Sequence, residues 1–425
     1  MESKEEILIK KIKKRVMDEL EYKKEVTDEQ IEELIQRNLS RIGKEEYLPL
    51  KLRVDLGQQI YHSLRKLDIL QQLLDNPDIT EIMVNGPDAI FVEEMGSIRK
   101  LDKHFESGEK LKDIIQQIVA KCNRVVNDSS PIVDARLEDG SRVNVVLNPV
   151  AINGPILTIR RFPKYPFRME NLVDMESISK EAAEFLEFLV KAGYNIIVSG
   201  GTGSGKTTFL NALSGAIPKD ERIITIEDSA ELQIQGIENL VRLETKNANV
   251  ENCTPITIRD LVKTSLRMRP TRIIIGEVRS AEAMDMICSA MNCGHDGSMS
   301  TVHANSAKDA LLRLETMILM AANLPIAAIR HQISSGVDII VHLGRLRDKS
   351  RRVLEIVELD ACENGEIPVN VLFRFKEDRE TDGRIQGRLL KIGDLKHVQK
   401  WEAAGLGKKR EVTIRHIPDD PKGKM

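Results

Sequence analysis

Apolar residues follow a helical spacing at the start of the chain. They recur at every fourth position between charged residues, which places them on one face of a helix: Leu8, Ile12, Val16 and Leu20. Further on, Thr27 and Gln30 are spaced as a capping box ahead of a second apolar run. We therefore predict a charged helical extension over residues 1–68.

Short apolar runs replace the helical spacing from residue 69 onward. Turn sequences rich in Asn, Asp and Gly join these runs in pairs, so they predict two hairpins, with one helix between them and one strand after them. The predicted strands are 79–84 with 89–92, 133–137 with 142–146, and 156–161, and the helix is 111–122. This pattern indicates a small α+β domain over residues 69–165.

Two prolines in the segment 162–167 are typical of a connection between domains, and we assign a linker to residues 166–176. Strands and helices then alternate over residues 177–348, which predicts a parallel sheet flanked by helices. The predicted strands are 195–199, 223–226, 240–243, 272–275, 299–302 and 337–341, and the main helices are 256–267, 281–292, 307–320 and 325–335. Residues 349–425 indicate a small β-rich appendage with a polar tail.

Composition excludes several classes of protein. The net charge of −3 and the aromatic content of 4% give no drive toward nucleic acid, so no nucleic-acid partner is expected. The five cysteines are never spaced C-x-x-C, which argues against a zinc site or a disulfide framework. No run approaches the roughly 20 apolar residues of a membrane span, and the charged start does not match a secretory signal. We expect a cytoplasmic protein whose contact with a membrane is at most peripheral.

One stretch carries a specific chemical signal. It has the form G-x-x-x-x-G-K-[ST] and lies between a predicted strand and a predicted helix, where backbone N–H groups and a helix N-terminus can surround phosphate. Lys206 would reach the β- and γ-phosphates of a nucleotide, and the Thr207 hydroxyl would bind Mg²⁺. The predicted nucleotide-binding residues are Gly200, Gly201, Thr202, Gly203, Ser204, Gly205, Lys206, Thr207 and Thr208.

Two glutamates stand at the carboxyl ends of apolar strands, which we expect to lie next to the strand before the phosphate loop. Glu277 resembles a Walker B carboxylate and would hold Mg²⁺ together with Thr207. Glu227 would orient and deprotonate the attacking water. His295 and His303 bracket a further strand; their H-x₇-H spacing suits a metal poorly, whereas His303 at a strand end could donate to the γ-phosphate or sense its loss.

Taken together, these motifs resemble those of the secretion ATPases of type II and type IV systems and type IV pili. The resemblance covers about residues 65–405 and includes an Asp box at 226–228, the Walker B pair Gly276-Glu277 and a His box from His295 to His303. The chain is most similar to the CpaF branch, the ATPases of tight-adherence (Flp) pilus assembly. That similarity is carried by NGPD at 85–88, DARLEDGSRVN at 134–144, SLRMRP at 265–270, LFRF at 372–375 and GRIQG at 383–387.

The resemblance implies a RecA-like P-loop domain preceded by a PAS-like α+β domain, assembled as a homohexamer. It implies that ATP and Mg²⁺ bind between the two domains and that their movement is passed to an inner-membrane platform protein, with the ATPase at the inner face of the membrane. It further implies that Arg142 and Arg160, with Arg136 a third possibility, reach the γ-phosphate. The four-cysteine zinc module of the type II and pilus-extension ATPases is absent from this sequence.

The sequence therefore predicts an ATPase motor for pilus assembly or protein export. Two alternatives remain open. One is a DNA-translocating RecA-type ATPase, which the charge balance and the few aromatic residues disfavour. The other is a scaffold that binds nucleotide without hydrolysing it, against which the paired acids Glu227 and Glu277 argue.

Overall fold

A computed structural model describes residues 4–20, 26–45, 47–94, 96–122, 124–161, 166–246 and 254–405. The chain forms two compact units, Met1–Lys164 (unit 1) and Tyr165–Met425 (unit 2). Residues 162–165 of the proline-containing connection and the tail after residue 405 lie outside the described residues.

Unit 1 begins with helices that have a hydrophobic core of their own. Three long helices and a short fourth one follow each other: α1 (Lys4–Leu20), α2 (Asp28–Glu45), α3 (Leu50–Arg65) and α4 (Ile69–Asp75). Ile12, Val16, Leu39 and Ile60 are buried together, so the predicted apolar face packs against the following helices. The capping box is confirmed, because the Gln30 amide donates to Thr27 Oγ1 and the Thr27 amide donates to Gln30 Oε1.

The rest of unit 1 is a six-stranded antiparallel sheet in the order β3-β2-β1-β6-β5-β4. Its elements are β1 (Ile79–Asn85), β2 (Ile90–Glu94), β3 (Ser97–Lys100), α5 (Gly108–Lys121), β4 (Ile132–Arg136), β5 (Arg142–Val146) and β6 (Ile156–Arg160). Both predicted hairpins are confirmed by the pairing of β1 with β2 and of β4 with β5. The apolar face of α5 shares one core with the sheet.

Unit 2 is built on a nine-stranded sheet in the order β15-β14-β13-β12-β7-β11-β10-β8-β9. Its strands are β7 (Ile196–Gly200), β8 (Ile223–Glu227), β9 (Leu240–Glu244), β10 (Arg272–Val278), β11 (Met299–His303), β12 (Ile339–Arg345), β13 (Arg351–Leu359), β14 (Val369–Thr381) and β15 (Arg384–Lys391). The six strands from β12 to β9 are parallel, and β13 to β15 continue the sheet as antiparallel strands.

Helices cover both faces of this sheet. They are α6 (Met169–Asp174), α7 (Lys180–Lys191), α8 (Lys206–Ser214), α9 (Ile258–Ser265), α10 (Glu282–Met284) with a π-helix at Asp285–Met291, α11 (Ala307–Ala321), α12 (Ile326–Gly336) and α13 (Gln399–Ala403). Successive strand residues enter different cores: Ile196 and Val198 pack with α7 and α8, whereas Ile197 packs with the π-helix and α11. Burial on both faces explains why these strands are continuously apolar.

Three sequence predictions need correction. Residues 349–405 are not a separate appendage, because β13 pairs with β12 and Phe373 and Trp401 enter the core of unit 2. The assigned linker 166–176 contains α6, whose Met169 and Leu172 are buried in the same core. The predicted helix 281–292 is a short α-helix, α10, followed directly by the π-helix at Asp285–Met291.

No single helix among the described residues is both long and apolar enough to cross a membrane. The helices α11 and α12 meet that requirement only when counted together, and they are bent by 120° at their junction.

Candidate nucleotide site

The phosphate loop joins β7 to α8 and is shaped by its glycines. Gly203 and Gly205 have φ angles of 70° and 92°, in the left-handed region that other residues rarely adopt. At Gly200, an added Cβ would lie 2.5 Å from Ser204 Oγ and 2.6 Å from the Leu343 carbonyl oxygen, so no side chain fits. The loop thus leads directly into the N-terminus of α8, where backbone N–H groups and the helix dipole attract anions.

Lys206 is the first residue of α8, and its ammonium group turns back into the loop. Its Nζ donates to the carbonyl oxygens of Gly200 and Gly201 at 3.1 and 3.0 Å, and it lies 3.3 Å from His303 Nδ1. The side chain is almost fully buried. Thr207 and Thr208 follow in the first turn of the helix, whereas Thr202 is exposed in the loop.

The strand order places the two glutamates farther from the loop than predicted. We expected both to follow strands next to β7, but the neighbours of β7 are β11 and β12. Glu277 lies near the end of β10, the second strand from β7. Glu227 is the last residue of β8, the third strand, which is about 14 Å from β7 at ~4.8 Å per strand. The prediction was wrong because β11 comes later in the chain yet inserts between β7 and β10.

Glu277 reaches the loop through His303. Its Oε1 lies 2.8 Å from His303 Nε2, and its Oε2 accepts from Arg279 Nη2 and Nε at 2.6 and 2.9 Å. The pairing of β10 with β11 is irregular between Ile275 and Val278, as in a β-bulge, which re-aims the side chains at this point. A continuous network therefore runs from Lys206 through His303 to Glu277 and Arg279, and on to Asp228 at 3.5 Å from Arg279.

His303 is suited to stand between a cation and an anion. Burial lowers its pKa, and the Lys206 ammonium lowers it further against the opposing effect of Glu277. A neutral imidazole can present an unprotonated nitrogen to Lys206 and an N–H toward Glu277. His295 precedes β11, so it lies at the opposite edge of the sheet from the phosphate loop, and its Nδ1 is 3.1 Å from the Pro270 carbonyl oxygen. The structure does not bring His295 together with the other site residues.

Glu227 is a buried carboxyl group of the site, and its pKa is raised. It is buried beneath Gly276, where its Oε1 accepts from the amides of Glu231 and Leu232 at 2.8 and 2.9 Å. Its Oε2 has no hydrogen-bond partner among the described residues. Burial raises the pKa of Glu227 to about 7, although the two amide hydrogen bonds oppose the shift. Glu227 can therefore exchange a proton near neutral pH.

The three predicted arginines lie in unit 1 and stand beside each other. Arg136 pairs with Arg142 across β4 and β5, and Arg142 pairs with Arg160 across β5 and β6. Directly paired residues share one face of a sheet, and like charges in that position repel. Arg160 is paired in turn with Glu81 on β1, so a carboxylate stands at the end of this row.

The residues of unit 2 fit a nucleotide and Mg²⁺. Apart from its 2.8 Å contact with His303 Nε2, Glu277 Oε1 is buried and makes no hydrogen bond among the described residues, so a hydrated cation would satisfy it. In the part of the chain that the structure describes, no group of three or more His, Cys, Asp or Glu residues could hold a metal. Mg²⁺ is commonly held by one or two protein oxygens together with phosphate and water, which the Glu277 carboxylate and the Thr207 hydroxyl could provide.

A cleft of about 510 Å³ opens beside the loop. Arg279, Arg313 and Asn305 line its polar part, and Leu312 and Met320 on α11 line its apolar part. Asp228 belongs to the Asp box and Arg279 lies two residues after the Walker B glutamate, but nothing in the sequence indicated that they would join one network.

Known proteins resemble this chain over most of its length. The model of the family described as "Type II/IV secretion system protein" matches residues 63–385. A putative conjugal transfer protein of Mycobacterium tuberculosis is 35% identical over 301 residues, which are 69% of this chain and 85% of that protein. The type IV secretion system protein PtlH of Bordetella pertussis is 33% identical over 316 residues, covering 68% of this chain and 93% of PtlH.

A solved structure agrees with the fold. The X-ray structure of the Yersinia pseudotuberculosis ATPase DotB has a TM-score of 0.51 and 18% identity, covering 70% of this chain and 79% of DotB. At that identity the likeness concerns the fold alone. It agrees with the predicted α/β fold with a RecA-like domain.

Proposed function

The chain belongs to the type II/IV secretion system protein family, and from this premise we propose that it is an ATPase that drives pilus assembly or protein export. The observation that carries the proposal is the network that joins the phosphate-loop lysine to the Walker B carboxylate through His303. A loop that only bound phosphate would not require a histidine and a carboxylate arranged in this way beside it.

The binding residues have separate roles in this proposal. Lys206 and the amides of the loop bind the β- and γ-phosphates, and the Thr207 hydroxyl and Glu277 hold Mg²⁺. When bound, Mg²⁺ neutralises charge that develops on the phosphate oxygens. We assign to His303 the response to loss of the γ-phosphate, and its contacts with Lys206 and Glu277 support this role.

Glu227 is proposed to position and deprotonate the attacking water. Its pKa of about 7 supports this role, because a general base works best when its pKa lies near the working pH. Arg142 and Arg160, with Arg136 beside them, are proposed to stabilise the charge on the terminal phosphate. The planar guanidinium groups suit that role, and the row that they form in unit 1 supports it.

Within the family we propose the CpaF branch of Flp pilus assembly. The support is the set of short sequences shared with that branch, from the NGPD turn to the GRIQG segment of β15. Family membership also supports a homohexamer at the cytoplasmic face of the inner membrane, acting on a platform protein. Deleting the gene should remove assembled pilin from the cell surface; intact pili in the deletion strain would exclude this branch.

Steady-state phosphate release by the purified full-length protein tests the proposed activity. We expect Mg²⁺-dependent ATP hydrolysis by the wild type and none detectable for Lys206→Ala, since the variant lacks the cation that holds the phosphates. Lys191→Ala, at the exposed end of α7, is a matched control that should keep full activity. Equal activity of Lys206→Ala and the control would refute the site assignment.

The same assay separates the alternatives. A nucleotide-gated scaffold would bind ATP but release no phosphate. A DNA-translocating motor would be stimulated by double-stranded DNA but not by membrane vesicles that contain the platform protein.

A further inference from the structure

The β12–β13 hairpin lies beside the phosphate loop and carries two arginines toward it. β12 is parallel to β7, with Leu343 opposite Gly200, so the turn after β12 stands at the edge where the loop begins. Arg345 ends β12, Arg351 begins β13, and the two are directly paired. Both side chains lie near the glycines of the loop.

Arg351 contacts the loop itself. Its Nε donates to the Gly203 carbonyl oxygen at 2.9 Å, and its Cδ lies 3.4 Å from where a Cβ of Gly205 would stand. Arg345 is also close, with Nη1 3.7 Å from the corresponding position at Gly203. Arg351 is thus placed against the outside of the loop and not within the Lys206–His303 network.

We propose that Arg351 is a positioning residue that sets the phosphate loop in its anion-binding conformation. In a trans peptide the C=O and the following N–H point in opposite directions. Because Arg351 holds the Gly203 carbonyl outward, the amide of Ser204 must point inward, where it faces the Gly201 carbonyl oxygen at 3.4 Å. Bound phosphate would replace that long hydrogen bond. This inference rests on the proposed nucleotide-binding function of the loop.

The turn that carries Arg351 is itself fixed by the end of the β14–β15 hairpin. Asp348 Oδ2 accepts from the Ile385 amide at 2.8 Å, and Asp348 Oδ1 accepts from Ser350. Arg347 forms ion pairs with Glu377 and Glu380 on β14. The antiparallel strands that extend the sheet therefore reach the phosphate loop through this turn, which gives them a role in the site.

Two variants and a control test the proposal. Arg351→Ala removes the hydrogen bond, Arg351→Lys can restore a donor to the same carbonyl, and Arg374→Ala removes an exposed, ion-paired arginine from the same sheet. Two quantities are measured for each: the affinity for ADP with Mg²⁺ by calorimetry, and the deuterium uptake of the loop peptide without nucleotide. Thermal unfolding without nucleotide checks that each variant folds.

We expect Arg351→Ala to bind ADP about tenfold more weakly, which is the effect of losing one hydrogen bond to a charged group. Its loop should exchange faster, whereas Arg351→Lys should recover most of both properties and Arg374→Ala should match the wild type. Unchanged ADP affinity in Arg351→Ala would overturn the inference and leave the proposed function standing. Weaker affinity without faster exchange would also overturn it, because the charge alone would then be acting. A wild type that binds no ADP would overturn both.

Discussion

At the scale of single residues, the site contains two glutamates in unlike surroundings. Glu277 is paired with Arg279 and contacts His303, whereas Glu227 is buried with one oxygen that has no partner among the described residues. The first arrangement sets a carboxylate beside an arginine and a histidine, where it is available to a cation. The second favours a proton. Their chemistry therefore differs although both stand at the ends of parallel strands.

The raised pKa of Glu227 predicts a stability that falls as pH rises. Its pKa moves from 4.5 to about 7 on folding, so between these values the native state binds more protons than the unfolded state, and the free energy of unfolding declines. The full loss is roughly 3 kcal/mol at 1.36 kcal/mol per pKa unit. We expect Glu227→Gln to be more stable than the wild type at pH 8 and to lose that advantage toward pH 4.5.

Urea unfolding of both proteins, followed by the fluorescence of the single tryptophan, measures this difference. An equal stabilisation by Glu227→Gln at pH 8 and at pH 4.5 would show that Glu227 is not the titrating group.

Gly276 is required by the packing of Glu227. An added Cβ would lie 2.9 Å from Glu227 Cγ, so Gly276→Ala must displace the carboxyl group or the strand. We expect a loss of about 1–3 kcal/mol in the free energy of unfolding, together with slower ATP hydrolysis. Gly43→Ala is the matched control, since nothing lies within 4 Å of its Cβ position on α2. If Gly276→Ala and Gly43→Ala both keep the stability and the ATP hydrolysis rate of the wild type, Gly276 does not pack closely against Glu227.

At the scale of elements, the strands after residue 350 belong to the main sheet. Phe373 on β14 and Trp401 in α13 pack against Phe185 on α7, in the core that also holds β7 and α8. The chain thus completes the phosphate-loop unit only with its last described strands. This arrangement ties the stability of the loop to residues far along the sequence.

We expect Phe373→Ala to lower the free energy of unfolding of the whole unit by about 3–5 kcal/mol, as for other buried aromatic residues. The urea midpoints for Trp401 fluorescence and for loss of ADP binding should shift together. Val369→Ala on the same strand is the control, since that side chain is exposed and should matter by less than about 1 kcal/mol. If only the urea midpoint for Trp401 fluorescence shifted, residues 349–405 would unfold separately from the phosphate loop, as expected of an appendage.

Local patterns account for the elements that were predicted from the sequence. The phosphate loop, the hairpins of unit 1 and the parallel strands each carry their signal within a few residues, as turn chemistry or a continuous apolar run. β15 was missed although Asp382 and Gly383, both with positive φ, form the kind of two-residue turn that joins a hairpin. β3 has no such signal, because all of its residues are exposed.

The order of the strands in the sheet could not be predicted from such local patterns. The position of β11 between β7 and β10 follows from crossovers packed over the whole unit, and no short segment encodes it. For the same reason the sequence indicated Glu277 and His303 separately but not their contact, and it gave no sign that Arg351 would meet Gly203.

At the scale of the whole molecule, the proposal assigns roles to residues of both units. The phosphate loop and the carboxylates lie in unit 2, and the row of arginines lies in unit 1. Arg142 and Arg160 are assigned to the terminal phosphate, so the double variant Arg142→Ala/Arg160→Ala should lose the preference for a non-hydrolysable ATP analogue over ADP. Calorimetry with both nucleotides measures this. Arg99→Ala, an exposed arginine on β3, is the control; an unchanged preference in the double variant would remove the arginines from the site.

The central claim is that this chain hydrolyses ATP at the network of Lys206, His303 and Glu277. The most direct test measures ATP binding and steady-state phosphate release side by side on Glu277→Gln, which keeps the size of the side chain but not its charge. We predict that the variant binds ATP and hydrolyses it at least about tenfold more slowly than the wild type. Phosphate release at the rate of the wild type would contradict the claim.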